Sequence, residues 1–325
     1  MKRKLLSLAL LALSIGLLGQ AQAQQDEMDG ALKPRKMEFT YGVFIPAVDE
    51  GAQSAYVWIP VPPSNERQTV LGWDAGDLSY EMVQDPEYGN SFLQVDLLAI
   101  EPDSEGRLPV NVTYQVERYG YANGYDTDAS MVDRFLKPDN MVSLEGDVAD
   151  EAKRIAADQT DDYGIARALY DNIVTTVVYD KSRDGWGRGD AAWACDARYG
   201  NCTDFHSLFI GESRSLGVPA RFLMGFPIPN DAPAGSVGGY HCWAEFYVDG
   251  EGWIPIDASE VAKAPERREE LFGNLDNDRI EFVMGRDLAI PGVQDGPLNF
   301  LIYPYVEVDG KARDGFDKNF SYRDL

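Results

Sequence analysis

Histidine is scarce in this chain of 325 residues. There are only His206 and His241, and the cysteines number three: Cys195, Cys202 and Cys242. Histidine-dependent chemistry therefore has two places to occur. No run of Lys or Arg follows the first four residues, and 29 basic residues face 54 acidic ones, for a net charge of −25. That balance excludes a nucleic-acid partner, which needs clustered positive charge. No stretch beyond the N-terminus approaches eighteen apolar residues, so no membrane-spanning helix is expected. No internal repeat or low-complexity tract occurs. With 44% hydrophobic residues the chain is globular, neither disordered nor collagen-like, and its length allows about two domains.

The first 23 residues read as a secretory signal peptide. Lys2, Arg3 and Lys4 precede an apolar stretch from Leu5 to Leu18, too short to span a bilayer comfortably. Ala21-Gln22-Ala23 then supplies a small-x-small cleavage site. Export follows, to the periplasm or beyond, into a compartment that permits disulfides. Residues 24–36 read as a flexible polar linker. From 37 to 120 hydrophobicity alternates with period two, on Met37, Phe39, Tyr41, Val43 and Ile45, on Ala55, Val57, Ile59 and Val61, and on Val110, Val112, Tyr114 and Val116. Strands with one buried face give that pattern, and the region is expected to form a β-sandwich-like domain. The sequon at Asn111 sits inside such a strand. A linker (121–146) leads to an α+β unit (147–265) with helices predicted at 147–159, 162–179 and 202–216, the last stopped by Gly217-Val218-Pro219. Strands follow at 220–228 and 241–258. A C-terminal β extension (266–325) includes NFLIYPYVEV as a strong strand candidate.

A thiol nucleophile needs a base and a group to orient that base. Cys202 follows Gly200-Asn201 and opens a helix, whose N-terminal dipole favours thiolate and whose free N–H groups can bind a developing oxyanion. His241 opens the strand HCWAEFYV. Past the turn Asp249–Gly252, WIPID ends at Asp257, which a hairpin brings beside His241. For both side chains to share a sheet face the turn must be odd in length. A three-residue loop Gly250-Glu251-Gly252, closing Asp249 on Trp253, satisfies this.

The segments GNCTDFHSLFIGESRSLGVPARFLMGF and YHCWAEFYVDGEGWIPIDAS resemble the transglutaminase-like superfamily of papain-type thiol enzymes. Gly-x-Cys at a helix start, Gly-x-Pro-Ala-Arg after it, His-x-Trp on a strand and Asp after a Gly-Trp hairpin all stand within residues 200–259. The resemblance implies a papain-like α+β core with Cys202 as nucleophile, His241 as base and Asp257 as orienting carboxylate, acting on protein or peptide amides without cofactor or metal. The β-rich segment before the core resembles the extra domain of bacterial members. Papain places an oxyanion Gln six residues before its Cys. Here that position is Asp196, and no Gln occurs from 160 to 293. The indole N–H of Trp193 or Trp186 is the candidate replacement.

Other readings compete. His206 lies at i+4 from Cys202 as an alternative base or a structural or substrate-facing group, and Trp243 lines the cleft or packs. Cys195 and Cys242 are a possible disulfide, with Cys242 pointing away from Cys202. Zinc at Cys202, His206, His241 and Cys242 is disfavoured because neighbouring strand residues face opposite ways. Asp126-Thr127-Asp128 and Asp276-Asn277-Asp278 lack an EF-hand's Gly and distal Glu and read as solvated turns. A serine hydrolase would need G-x-S-x-G, whose nearest match is Gly211-Glu212-Ser213-Arg214-Ser215. Hydrolysis is expected over transamidation, with protein cross-linking as the alternative and a non-catalytic envelope scaffold as the rival outside enzymology. Substrate and oligomeric state are not legible.

Overall fold

The computed structural model describes residues 33–122 and 126–325. The expected signal peptide and all but the last four residues of segment 24–36 lie outside the described residues. Six strands come first: β1 (Arg35–Pro46), β2 (Ala55–Val61), β3 (Gln68–Asp74), β4 (Tyr80–Gln84), β5 (Ser91–Asp96) and β6 (Arg107–Arg118). After the short β7 (Tyr121–Ala122) come α1 (Asp147–Ile155), α2 (Asp162–Thr176), β8 (Val178–Tyr179), α3 (Ala191–Ala197), β9 (Tyr199–Gly200) and α4 (Cys202–Ser215). The core continues through β10 (Ala220–Pro227), β11 (Ala234–Val237), β12 (His241–Val248), β13 (Gly252–Ile256) and the single turn α5 (Ala258–Val261). It is followed by β14 (Asn274–Leu275), β15 (Arg279–Met284), β16 (Tyr305–Val308), β17 (Lys311–Ala312) and β18 (Asp317–Asp324).

The period-two residues of β1 do what their spacing demands: Met37, Phe39, Tyr41, Val43 and Ile45 are all buried. Each such side chain contributes roughly 1.5–3 kcal/mol relative to exposure. Val110, Val112, Tyr114 and Val116 on β6 are buried beside them, in register with β1 through Tyr41↔Val112 and Val43↔Val110. Two five-stranded sheets result, ordered β11-β18-β1-β6-β3 and β17-β16-β2-β5-β4. Neither is made from residues 37–120 alone. β18 pairs with β1 along eight positions, β16 pairs with β2, and β11, a loop strand from the helical half, adds to β18. The C-terminal segment thus completes the N-terminal sheets. Within NFLIYPYVEV only Tyr305–Val308 is strand, because Pro304 lacks the N–H a ladder needs.

The core sheet, β13-β12-β10-β15, packs against α4, whose residues Cys202–Arg214 are all buried. α2 starts where Asp161 accepts the Gly164 N–H (2.8 Å) and sets Leu169 and Ile173 inward. Helices α1 and α2 end a few residues before the expected bounds, at Ile155 and Thr176.

A buried ionic clamp joins sandwich to core. Arg67, from the β2–β3 connection, pairs with Glu245 of β12 and, at 3.4 Å, with Glu281 of β15. Arg221 donates from Nε to Glu245 Oε2 at 2.7 Å, and the Tyr121 hydroxyl donates to Glu245 Oε1 at 2.8 Å. Arg118 lies 3.7 Å from Glu281. Burial favours neutral carboxyl at Glu245, but Arg67 and Arg221 override it and hold its proton affinity below the ordinary value.

Candidate active site

Asn201 caps α4. Its Oδ1 accepts the Thr203 N–H at 2.9 Å, while the Asp204 carboxylate accepts the Asn201 N–H at 3.0 Å, closing a capping box. Asp204 also accepts from the backbone N–H groups of Gly187 (2.7 Å) and Gly189 (3.1 Å), which ties the Gly/Trp-rich loop to the helix start. Gly200 is required here: a Cβ would lie 2.4 Å from Asp204 Oδ2. Cys202 is therefore the first residue of a rigid, buried helix.

His241 and Asp257 meet as the parity argument requires. β12 and β13 pair through Val248↔Gly252 and Ala244↔Ile256, so the loop is Asp249-Gly250-Glu251. It has three residues, as expected, but starts one residue earlier. Gly252, with φ +94°, opens β13, and a Cβ there would lie 2.3 Å from the Asp126 carbonyl. The register places Asp257 on the face of Trp243 and His241, and His241 Nε2 lies 2.7 Å from Asp257 Oδ2.

Asp257 is itself held. It caps α5, taking the Glu260 N–H and the Ser259 hydroxyl on Oδ1, each at 3.1 Å. Arg279 Nη1 donates to Oδ2 at 3.0 Å. Burial would raise its proton affinity, but His241, Arg279 and His206 hold it well below the usual carboxylate range. Burial would likewise lower His241, but the Asp257 carboxylate and the Cys202 sulfur raise it to about 10. The Cys202 thiol is pulled well below its ordinary value, most by hydrogen bonding from Cys242, against burial, with His241 and His206 adding to the effect. A thiolate beside an imidazolium is the favoured protonation state.

The remaining expected residues are placed differently. His206 is fully buried; its Nε2 accepts the Ala258 N–H at 3.2 Å, and burial lowers its proton affinity. It braces the backbone after Asp257. Trp243 is also fully buried, beneath the Arg279 guanidinium (5.1 Å), and does not line a cleft. Trp193 packs edge-on against Tyr199 (5.2 Å). Trp186 is 37% exposed beside Lys181 (5.5 Å).

The Cys195–Cys242 disulfide does not form; both thiols are free. Cys195 lies against Glu151 (3.4 Å) on α1. Cys242 lies 3.8 Å from Thr203 Oγ1 and 3.7 Å from His206 Nδ1. Strand alternation does separate Cys242 from His241, but α4 packs on the Cys242 side and brings Cys202 to it, contrary to expectation. Of the two acidic triplets, 126–128 has Thr127 and Asp128 exposed, with Asp126 paired to Arg221 (3.0 Å), whereas Asp276 is buried and paired with Arg267 (2.9 Å) and Arg279 (3.3 Å), not solvated.

Sequence reasoning missed Arg279 and Asp204. Asn201-x-x-Asp204 is a capping pattern and was legible in principle. Arg279 stands 22 residues after its partner, on another strand, and carries no local signal.

The chain is similar to known proteins. Residues 149–258 match the transglutaminase-like superfamily, and the chain carries a transglutaminase-like core behind an N-terminal β-rich region. A Haemophilus influenzae protein of uncharacterised activity is 26% identical over 378 residues, spanning 98% of each chain. Among solved structures, a Cytophaga hutchinsonii protein proposed to be a cysteine protease shares the fold, with TM-score 0.59 and 18% identity over 90% of each chain. The periplasmic domain of TgpA from Pseudomonas aeruginosa gives TM-score 0.39 at 16% identity, over 72% of this chain and 91% of that domain. Among the described residues no helix is long and apolar enough to cross a membrane.

Proposed function

We propose that the chain is an exported thiol enzyme that cleaves protein or peptide amides. The observation that carries this reading is the buried His241–Asp257 pair at 2.7 Å, set beside a helix-opening Cys202 whose thiol is held low. The Cys202 thiolate attacks the amide carbonyl carbon, forming the C–S bond and a tetrahedral oxyanion. His241 gives its proton to the leaving amine as the C–N bond breaks, which leaves a thioester. His241 then takes a proton from water; the hydroxide oxygen bonds to the acyl carbon, and the C–S bond breaks to restore the thiolate. Asp257 orients and charges the imidazole throughout. Export rests on residues 1–23, read as a signal peptide. The protease assignment proposed for the Cytophaga hutchinsonii protein of the same fold supports hydrolysis.

A Lys amine in place of water would make the reaction a cross-link. The strongly acidic chain attracts cationic, Lys-rich proteins, which keeps this second reading in play. A peptide carrying one reactive amide, incubated with a fluorescent primary amine, separates the two by mass spectrometry. Free acid as the main product, absent in Cys202→Ala, is expected. Amine adduct as the main product would reverse the assignment. Neither product across a broad peptide library would favour a binding scaffold.

A further inference from the structure

The tetrahedral oxyanion of this reaction needs two donors. Cys202 supplies one: it is the first residue of α4, where the backbone N–H has no acceptor in the helix ladder. The second donor has no place in the sequence pattern, since Asp196 stands where papain has Gln; the Trp193 ring packs on Tyr199, and Trp186 sits at the surface beside Lys181. We propose that Tyr240, the residue before His241, is the missing donor. This rests on the thiol acyl-transfer reading above.

The Tyr240 hydroxyl touches both neighbours of the nucleophile, lying 3.0 Å from Asn201 Nδ2 and 3.0 Å from Thr203 Oγ1. The Asn201 amide cannot flip without loss, because its Oδ1 already accepts the Thr203 N–H at 2.9 Å. Nδ2 therefore donates to Tyr240. Thr203 can donate to it as well, since either hydroxyl of that pair can turn. Both lone pairs of Tyr240 are then filled, and its single proton is free to point at a third atom beside Cys202. Burial and the nearby sulfurs of Cys202 and Cys242 keep that proton on the phenol, as a donor requires. The ring is fixed from behind: Tyr303 meets it edge-on at 5.4 Å, and the Tyr303 hydroxyl accepts the Tyr240 N–H at 3.3 Å. A donor held this way costs no reorganisation when charge appears on the substrate oxygen.

Two reagents separate this role from a structural one. Iodoacetamide alkylates Cys202 by displacement at carbon, with no oxyanion. p-Nitrophenyl acetate acylates it through a tetrahedral oxyanion. In Tyr240→Phe, acylation should fall roughly 10²–10³-fold, while alkylation at pH 6 stays within about twofold of wild type. Trp193→Phe should change neither rate. Equal loss of both rates in Tyr240→Phe would make Tyr240 a support of the thiolate, and retention of both would make it a brace; each result overturns the proposal. Should Tyr240→Phe fail to fold, trifluorotyrosine at position 240 serves instead. As its more acidic phenol ionises, acylation should gain a new alkaline limb that alkylation lacks, and no such limb would refute the donor. A wild-type Cys202 inert to iodoacetamide at pH 6 would instead remove the thiolate reading on which the proposal stands.

Discussion

Two buried charge clusters meet at the core sheet, and they differ in what answers the charge. In the clamp, Glu245 is answered by Arg67 and Arg221, whose guanidinium groups do not lose protons at any working pH. In the candidate site, Asp257 is answered by one such guanidinium, Arg279, and by an imidazole, His241. The imidazole faces a thiol whose proton affinity is displaced in the opposite direction. Both clusters carry the desolvation cost of buried charge. One converts it into a fixed docking of sandwich on core; the other, on the proposed reading, supplies a proton that can be passed. What separates a structural cluster from a reactive one is the presence of partners that titrate, not the amount of buried charge.

The sharpest contrast comes from removing the reactive partners. Cys202→Ala and His241→Ala should each lower turnover by at least about 10³-fold. Asp257→Asn should keep a measurable residue of activity, because Asp257 makes no bond to substrate. Steady-state rates on a purified peptide substrate check all three. His206→Ala, which spares the proposed base, should keep most activity; a loss as deep as that of His241→Ala would reassign the base.

The clamp should show the reverse. Glu245→Ala leaves Arg67 and Arg221 buried against each other and should cost about 3–5 kcal/mol of stability. The rate per folded molecule should hold. Chemical denaturation paired with titration of active thiol tests this, and an unchanged midpoint would show the clamp to be energetically idle.

Arg279 lies between the two behaviours. Arg279→Gln removes a positive charge from Asp257 and should strengthen its pull on His241. The imidazolium then survives to higher pH, so the alkaline limb of Cys202 reactivity, expected near pH 10 in the wild type, moves upward. Turnover should fall about tenfold, or 1.4 kcal/mol, through looser placement of Asp257. Arg279→Lys should return the limb most of the way. A purely structural Arg279 would leave the limb in place.

Much of this was legible beforehand, and the boundary has a physical meaning. Met37–Ile45 and Val110–Val116 announced buried strand faces because period two is a local property. Cys202, His241 and Asp257 were legible because a helix start and a short hairpin bring them together within 56 residues. Even the odd loop parity followed from strand geometry, though not which residue the loop began on. What local pattern could not supply was partnership at long range. β18 pairs with β1 across almost the whole chain, and Arg67 finds Glu245 178 residues away. Cys242 was assigned to the wrong side because alternation names a face without saying which helix covers it.

The smallest effect concerns Glu212, buried in α4 with its proton affinity raised well above normal by burial and by Glu151. A carboxyl raised in the folded state contributes fully only below its unfolded pKa of about 4.3, and that contribution is lost as pH climbs. Glu212→Gln, which never ionises, should raise the melting temperature by about 2–4 °C at pH 8, not at pH 4, with activity unchanged. A gain independent of pH would show that Glu212 is not held protonated.

The central claim is that Cys202 rests as a thiolate against a protonated His241. It is tested most directly by the pH dependence of Cys202 alkylation with iodoacetamide, mapped by mass spectrometry. The account predicts a rate on Cys202 that is already near its plateau at pH 6 and holds until His241 loses its proton near pH 10. A rate that climbs about tenfold per pH unit toward an ordinary thiol pKa near 8.5, or labelling of Cys195 or Cys242 ahead of Cys202, would contradict it.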